Sequence, residues 1–259
     1  MNGRSSTADL SGKQALVTGA SRGIGAAIAC SLARQGAQVA VHYGRDHAAA
    51  KAVVDRIGEA GGRAFPLQAD LSTSQGARGL LAAYADAVDA HPAEPCLDIL
   101  VNNAGIGMRV PMEDLDEKQL DSVLQINFKS PFFIMQAAAP CLRDGGRIIN
   151  ISSMASRVSP PGMVAYAASK AALETVTTAL AKTLGPRGIT VNAVLPGATE
   201  TDMNIAVRDP AQRERIISSV ALRRIGRPED VSDVVLFLAS EQGRWVTGQR
   251  LDASGGQQI

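Results

Sequence analysis

The amino-acid sequence predicts an α/β fold in which helices cover both faces of a seven-stranded parallel sheet. Apolar strand-like segments alternate with stretches of helical periodicity along most of the 259 residues. The apolar segments are nearly continuous in hydrophobicity, which is typical of strands buried on both faces. Right-handed crossovers between such strands give a doubly wound sheet. The sequence therefore favours a single doubly wound α/β domain.

The elements follow one another in a regular order. Strands are predicted at 14–18, 38–43, 63–70, 97–103, 147–152, 189–197 and 249–256. Helices are predicted after the first three strands, at about 25–35, 48–61 and 75–90. A loop carrying Pro92 and Pro95 precedes the fourth strand. Because no repeat or linker interrupts this order, we expect residues 1–9 to be a flexible polar arm and residues 10–259 to be one domain.

Composition excludes several classes of partner. Hydrophobic residues make up 46% of the chain and aromatic residues only 3%, so the core must consist mainly of Ala, Val, Ile and Leu. The net charge of +1 gives no reason to expect a nucleic acid or an anionic membrane as partner. No apolar run is long enough to span a bilayer.

The cysteines and the N-terminus indicate the compartment. Cys30, Cys96 and Cys141 are widely spaced, which predicts neither a disulfide framework nor a metal site. The first residues lack the apolar segment of a signal peptide. We therefore expect a cytoplasmic protein that binds no metal.

Three glycines follow the first predicted strand, within the segment TGASRGIG at 18–25. In a doubly wound sheet, ligands bind outside the carboxyl ends of the strands. Gly19 would permit a tight turn, Gly23 would let backbone approach a phosphate, and Gly25 would let the helix pack closely. The helix N-terminus would then attract a pyrophosphate. An ordinary tight turn between strand and helix is the alternative.

Two further positions carry chemistry that the residues themselves suggest. Asp70, at the end of the third strand, could accept a hydrogen bond from an adenine amino group, or it could cap a helix. Tyr166 and Lys170 are the only Tyr-x3-Lys pair, and residues so spaced share one face of a helix. A nearby ammonium lowers the pKa of a phenol and so makes it a better acid–base catalyst near neutrality. A tyrosine beside a solvated lysine is the alternative.

Taken together, the motifs resemble those of the short-chain dehydrogenase/reductase family, from about Leu10 to Gly256. The resemblance rests on TGASRGIG (18–25), ADL (69–71), NNAG (102–105), Asn127, Ser153, YAASK (166–170) and PG (196–197). Within the family, RRIGRPEDV (223–231) and ETDM (200–203) resemble the bacterial 3-oxoacyl-[acyl-carrier-protein] reductase branch. The resemblance implies a Rossmann fold and hydride transfer between a nicotinamide cofactor and a carbonyl or secondary alcohol.

The resemblance also implies the catalytic residues. Tyr166 would give or take the proton, Ser153 would hold the substrate oxygen, and Lys170 would bond the nicotinamide ribose. Ser152 is the neighbouring candidate, but strand alternation sends the two serine side chains to opposite faces. Asn127 would hold a water for proton relay, unless its amide satisfies backbone groups inside a helix.

The cofactor-binding residues follow from the same resemblance. They are Gly19, Ser21, Arg22, Gly23, Ile24, Gly25, Tyr43, Arg45, Asp70, Leu71, Asn103, Ala104, Gly105, Tyr166, Lys170, Pro196, Gly197, Thr199 and Thr201. Asn103 to Gly105 would line the ribose end, and Thr199 and Thr201 would reach the carboxamide, Thr199 through its backbone.

The second strand bears on the choice of nicotinamide. NAD-binding members place an acid at its end, where this chain has Tyr43, and Asp46 lies too far along. Arg22 and Arg45 could pair with a 2′-phosphate. We therefore expect a preference for NADP(H), with NAD(H) as the alternative.

Substrate and partners are less well determined by the sequence. We expect NADPH-dependent reduction of a 3-oxoacyl or similar β-keto compound. One alternative is a sugar, polyol or other secondary-alcohol dehydrogenase. The other is a non-catalytic nucleotide sensor, against which the intact Ser153, Tyr166 and Lys170 argue. The segment 198–225 would form a substrate lid or simply pack as helices. An acyl carrier protein is a candidate partner at Arg143 and Arg187, although Asp144 lies where the carrier-protein reductases tend to have a basic residue.

Small residues on the helix that carries Tyr166 would permit close packing between helices. They are Ala168, Ala171, Ala172 and Ala179. Family members usually form tetramers through this helix and the one before it, so we expect a homotetramer.

Overall fold

The computed structural model describes residues 8–89 and 96–257. The loop positions Pro92 and Pro95 lie outside the described residues, as does nearly all of the polar arm expected at 1–9. None of the described helices combines the length and the apolar character that crossing a bilayer requires.

The described residues form a sheet of seven parallel strands, as the sequence predicts, and the strand order is β3-β2-β1-β4-β5-β6-β7. The strands are β1 Gln14–Val17, β2 Gln38–Tyr43, β3 Arg63–Gln68, β4 Leu97–Asn102, β5 Leu142–Ile151, β6 Thr190–Pro196 and β7 Arg250–Ala253. Strand order reverses between β1 and β4, and a ligand crevice is expected outside the carboxyl ends of the strands at such a point.

The fifth strand begins earlier than the predicted 147. It starts at Leu142, which pairs with Leu97, whereas Arg147 pairs with Ile99. The extra residues form an irregularity in the ladder, and Gly145 within it has a φ of +76°. A prediction that relies on apolar runs misses the first part of this strand because Arg143 and Asp144 are polar.

Helices connect the strands. They are α1 Gly23–Arg34, α2 His47–Glu59, α3 Ser74–Ala87, α4 Glu117–Leu124, α5 Ser130–Cys141, α6 Ala155–Val158, α7 Val164–Leu184, α8 Pro210–Ser218 and α9 Pro228–Ala239. A single π-helical turn, Gln125–Lys129, joins α4 to α5.

The helices divide between the two faces of the sheet. Helices α1, α2 and α9 pack on one face, where Ile28 and Val235 belong to the same apolar cluster as Val17 of β1. Helices α3, α5 and α7 pack on the other, where Leu80 belongs to the same cluster as Leu16 of β1. Adjacent strand residues thus point to opposite layers, so both faces of the central strands are buried.

Candidate active site

The glycine turn after β1 requires glycine at two positions for different reasons. Gly19 has a φ of +62°, and a Cβ there would lie 2.8 Å from Cα of Ala104. At Gly25, a Cβ would lie 2.4 Å from both the Gly19 carbonyl oxygen and Asn103 Nδ2. The first position lets the chain after β4 approach the turn, and the second lets α1 start directly beneath it.

Side-chain bonds fix the chain after β4 to this turn. Thr18 Oγ1 accepts from the backbone N–H groups of Asn103 at 2.9 Å and of Ala104 at 3.0 Å. The Asn103 amide donates in return to the carbonyls of Thr18 and Gly19. The NNAG segment and the glycine turn therefore form one rigid unit at the point where strand order reverses.

His42 is a buried residue of this region that the sequence interpretation missed. Its Nδ1 lies 3.0 Å from the backbone N of Gly19, and its Nε2 lies 3.1 Å from the carbonyl oxygen of Ala69. Because Gly19 N–H can only donate, we assign the proton to Nε2, which donates to Ala69. Burial lowers the pKa of His42 to about 4. The available signal was a polar residue near the end of the otherwise apolar β2.

Ser153 and Tyr166 meet at the carboxyl end of β5. Tyr166 lies in the first turn of α7, and the Ser153 hydroxyl is near enough to its phenol to act on the phenol's pKa, which it lowers. Ser153 Oγ also accepts from the backbone N–H of Ala155 at 3.1 Å, which fixes the hydroxyl. Ser152 instead bonds Glu174 on the other side of the corner, so only Ser153 faces Tyr166.

Lys170 lies one helical turn beyond Tyr166 and is only 4% exposed. Its Nζ donates to the carbonyl of Ile151 at 2.9 Å and is 6.0 Å from the centre of the Tyr166 ring. Burial lowers the pKa of Lys170 to about 8, against the opposing charge of Glu174.

The pKa of Tyr166 departs from the expectation that Lys170 lowers it. Burial raises that pKa, and the hydrogen bond from Ser153 opposes the rise. The reason is geometric, because the Lys170 ammonium is directed to a backbone carbonyl rather than to the phenol oxygen. The phenol is therefore held in its protonated form at neutral pH.

Asn127 lies in the π-helical turn between α4 and α5 and is fully buried. Its Oδ1 accepts from the N–H of Ile106 at 2.9 Å, while its Nδ2 donates to the Ile106 carbonyl at 3.0 Å and contacts Ser169 Oγ at 3.2 Å. The side chain thus corresponds to the alternative that it satisfies backbone groups. It fixes the chain just after Gly105, and its Oδ1 keeps one acceptor position beyond the bond from Ile106.

The carboxyl end of β2 presents no free carboxylate. The hydroxyl of Tyr43 bonds Nδ1 of His47 at 2.7 Å, and Asp46 caps α2 by accepting from the N–H of Ala49. Two arginines are exposed in this region: Arg22 at the N-cap of α1, and Arg45 two residues beyond the end of β2. Among the described residues, the end of β2, where a nucleotide ribose is expected, therefore has two nearby arginines, whereas the carboxylate of Asp46 is already engaged in capping α2.

Asp70 is two residues beyond β3 rather than in it. It accepts from the N–H of Ser72 at 2.9 Å. The Ser72 hydroxyl, then this backbone bond and, less strongly, Arg45 hold the pKa of Asp70 below its usual value. The cap of α3 is Thr73, so the helix-cap alternative for Asp70 is wrong. Leu71 is buried, and its carbonyl accepts from Ser130 at 2.7 Å.

The segment after β6 covers the glycine turn. A Cβ at Gly23 would be 3.3 Å from Cγ2 of Thr201, and one at Gly107 would be 3.4 Å from Cγ of Met203. Thr199 Oγ1 donates to the Gly197 carbonyl, so its side chain is directed back into the segment. This arrangement brings Pro196 to Thr201 over the same crevice as the NNAG segment.

The arginines considered for carrier-protein docking are engaged within the chain. Arg143 forms an ion pair of 2.6 Å with Asp98. Arg187 pairs with Asp144 at 2.8 Å and also donates to the backbone carbonyls of Ala139 and Leu142. Both guanidiniums are thus paired with carboxylates of the chain itself.

Comparisons with known proteins identify the relatives of the chain. A family model described as "Enoyl-(Acyl carrier protein) reductase" matches residues 19–258. The 3-oxoacyl-[acyl-carrier-protein] reductase FabG of Staphylococcus aureus (strain Mu50) is 38% identical over 246 residues, which is 94% of this chain and 97% of the relative.

Solved structures also resemble the chain. The promiscuous reductase LugOII, which catalyses keto-reduction at C1 during lugdunomycin biosynthesis, is 46% identical with a TM-score of 0.91, over 96% of this chain and 99% of the other. The angucycline C-6 ketoreductase LanV with bound NADP is 43% identical with a TM-score of 0.92, over 97% of each chain.

Proposed function

The chain belongs to the short-chain dehydrogenase/reductase family, and on that premise we propose that it is an NADPH-dependent ketoreductase of 3-oxoacyl or similar β-keto compounds. The observation that carries the proposal is that the Ser153 hydroxyl acts on the Tyr166 phenol, with Lys170 one turn away on α7. Reduction of a ketone requires a proton donor and a group that orients the carbonyl oxygen. These residues supply both at one end of the crevice.

The residues of the crevice fit a dinucleotide. Arg22 at the N-cap of α1 makes no side-chain cap hydrogen bond, so the first N–H groups of the helix are available to an anion. A Cβ at Gly19 or Gly25 would collide with the chain after β4, so glycine at these positions keeps the turn in the shape that the crevice requires. When bound, the nicotinamide supplies the hydride that reduces the carbonyl carbon.

The chain's own residues would manage the proton. Ser153 would donate to the substrate oxygen and hold it beside Tyr166. The raised pKa of Tyr166 keeps a proton on the phenol near neutrality, which suits an acid in the reductive direction. The phenol would transfer this proton to the forming alkoxide while Ser153 keeps its hydrogen bond to the substrate oxygen.

Apolar residues at the mouth of the site support a keto substrate with a hydrophobic body. Met203 packs on Gly107 and is 57% exposed, and the thioether of Met163 accepts from Arg109 at 3.5 Å. Methionine side chains adapt to irregular apolar ligands. Such a mouth favours acyl chains or polyketide-like rings over sugars and polyols.

The partner is inferred to be a small molecule rather than a carrier protein. Arg143 and Arg187 are held by Asp98 and Asp144, so they do not form a basic docking surface. We propose that the enzyme accepts the thioester or ketone directly.

We also propose that NADPH is preferred over NADH. The acids nearest the end of β2 are engaged, because Asp46 caps α2 and Asp70 closes its own turn. Arg22 and Arg45 remain exposed, and a guanidinium binds a phosphate through charge-assisted hydrogen bonds. The NADP bound to the similar LanV structure is consistent with this preference.

A homotetramer is proposed on the exposed face of α7. Val164 is 47% exposed, and Ala168 and Ala171 are exposed along the same helix. A face of small apolar residues allows the backbones of two helices to approach closely. Covering it with a second copy would bury surface that water now contacts.

The first experiment measures NADPH oxidation with an acetoacetyl thioester for the wild type, Tyr166→Phe and Tyr84→Phe. Tyr84 is the matched control because it is a buried tyrosine whose hydroxyl bonds Cys96, away from the site. We expect turnover that falls by about 10²-fold or more in Tyr166→Phe and persists in Tyr84→Phe, with NADPH binding retained in all three.

Two results would contradict the proposal. Wild-type protein that binds NADPH but turns over no β-keto substrate would favour a secondary-alcohol or polyol dehydrogenase, to be sought with an oxidative panel. Undiminished turnover in Tyr166→Phe would remove the assignment of Tyr166 as the acid.

A further inference from the structure

Glu174 is a buried carboxylate beneath the proposed catalytic residues. It lies on α7 one turn beyond Lys170 and is only 4% exposed. Its Oε1 accepts from two hydroxyls, Ser152 Oγ and Ser156 Oγ, each at 2.5 Å. A carboxylate in such a place is expensive to bury, so its partners are expected to offset a large desolvation penalty.

The two hydroxyls lie on either side of Ser153 in the chain. Ser152 directly follows β5, and its backbone N–H donates to Val194 of β6 at 2.8 Å. Ser156 belongs to α6, and its Oγ also lies 2.7 Å from the Ser153 carbonyl oxygen. The carboxylate of Glu174 therefore braces the corner that presents the Ser153 hydroxyl to Tyr166.

Glu174 also lies one turn from Lys170 on α7, and its charge acts on the Lys170 ammonium. The groups that face the ammonium from other elements are neutral: the Ile151 carbonyl at the end of β5, and Gly105, whose Cβ would be 3.4 Å from Nζ and 3.2 Å from Asn127 Oδ1. On α7 itself the titratable neighbours are Tyr166 and Glu174. Among the described residues, Glu174 is the one charge that acts on the pKa of Lys170, which it raises against the effect of burial.

We propose that Glu174 is a positioning residue for the reaction, which holds the Ser153 corner through Ser152 and Ser156 and balances the buried charge of Lys170. It acts through these residues and does not contact substrate. The effect on turnover rests on the proposed reductase function, whereas the effect on Lys170 belongs to the folded protein alone.

Glu174→Gln separates charge from hydrogen bonding, because its amide oxygen can still accept from the serines. Without the charge, the Lys170 pKa should fall further, and the basic limb of the pH profile of kcat/KM should move to lower pH by about one unit. Glu174→Asp keeps the negative charge, so the basic limb of its pH profile should lie close to that of the wild type.

A second measurement needs no substrate. In the wild type, Glu174 stabilises the fold by its interaction with the Lys170 ammonium, and this advantage over Glu174→Gln is lost as Lys170 deprotonates. The difference in Tm between the two proteins should therefore shrink as pH rises from 7 to 9.5. A failure of the thioester assay with a shrinking Tm difference would contradict the reductase proposal and leave the role at Lys170 intact.

Two further variants test the serine brace. Ser156→Ala removes one hydroxyl without changing charge and should lower kcat about tenfold without moving the pH limb. Thr177→Val is the matched control, since Thr177 is a buried hydroxyl of the same helix that bonds Asn150 and Leu173. It should lower Tm and leave kcat and the limb unchanged.

The proposal is overturned if Glu174→Gln keeps the wild-type pH limb and its Tm difference from the wild type is independent of pH. A wild-type kcat in Ser156→Ala would remove the bracing role.

Discussion

The backbone N–H of Gly19 donates to the imidazole of His42 across 3.0 Å, and this bond joins the glycine turn to the neighbouring strand. The other ring nitrogen donates to Ala69 beyond β3. One neutral histidine, 2% exposed, thus connects the chain ends of β1, β2 and β3 at the side of the crevice where the adenosine half of the cofactor is expected. Protonation would place an N–H on both ring nitrogens and break the bond to Gly19.

Acid destabilisation is the first prediction. The folded-state pKa of His42 is about 4, below its ordinary value of 6.5, so the unfolded chain binds the extra proton first. Stability contributed by neutral His42 is therefore complete above pH 6.5 and is lost as pH falls toward 4, by up to about 3 kcal/mol. Urea unfolding between pH 7.5 and 4.5 measures this loss.

Variants distinguish His42 from other acid-sensitive groups. His42→Leu should lose about 1–3 kcal/mol at pH 7.5 because the Gly19 N–H is left unsatisfied, and its stability should then fall less steeply in acid. It should also weaken NADPH binding, measured by fluorescence titration. His47→Ala, at an exposed histidine, is the control and should retain the acid step. An unchanged acid step in His42→Leu would contradict the prediction.

The sequence predicted what depends on local signals. Continuous apolar runs identified all seven strands, and the left-handed turn at Gly19 followed from glycine spacing. The Tyr166–Lys170 pair followed from helical periodicity. These features need only a few neighbouring residues, so local patterns suffice for them.

The missed features depend on contacts between distant parts of the chain. His42 matters because β2 lies between β1 and β3 in the sheet, so that its ring reaches both the glycine turn and the chain after β3. Likewise, the sequence alone indicates no more for Glu174 than a polar residue on a helix. Its partner Ser152 becomes apparent only in the folded structure, where the corner after β5 packs against α7. Burial and partner choice at these positions are set by tertiary packing, which residue spacing does not contain.

The oligomer gives the second prediction. Ala171 is exposed on α7, on the face that the proposed tetramer would bury. Ala171→Arg should introduce an unpaired charge into the helix contact and reduce the mass measured by light scattering at micromolar concentration. Lys182→Glu, at an exposed residue near the C-terminal end of the same helix, tests whether any change of charge on α7 has this effect. A wild-type protein that is monomeric at this concentration would contradict the tetramer itself.

Coenzyme preference gives the third prediction, because Arg22 at the N-cap of α1 and Arg45, two residues beyond β2, are exposed cations. If these arginines hold a 2′-phosphate, Arg22→Ala and Arg45→Ala should each raise the KM for NADPH about tenfold, which corresponds to a loss of about 1.4 kcal/mol of charge-assisted hydrogen bonding. Neither substitution should change the KM for NADH, which has no 2′-phosphate. Arg34→Ala, at the opposite end of α1 from Arg22, is the control and should affect neither coenzyme. Parallel losses with NADH and NADPH would instead mean that the arginines act on the pyrophosphate or on the fold. An NADH efficiency equal to that of NADPH in the wild type would overturn the preference, since two unpaired guanidiniums would then contribute nothing to the choice.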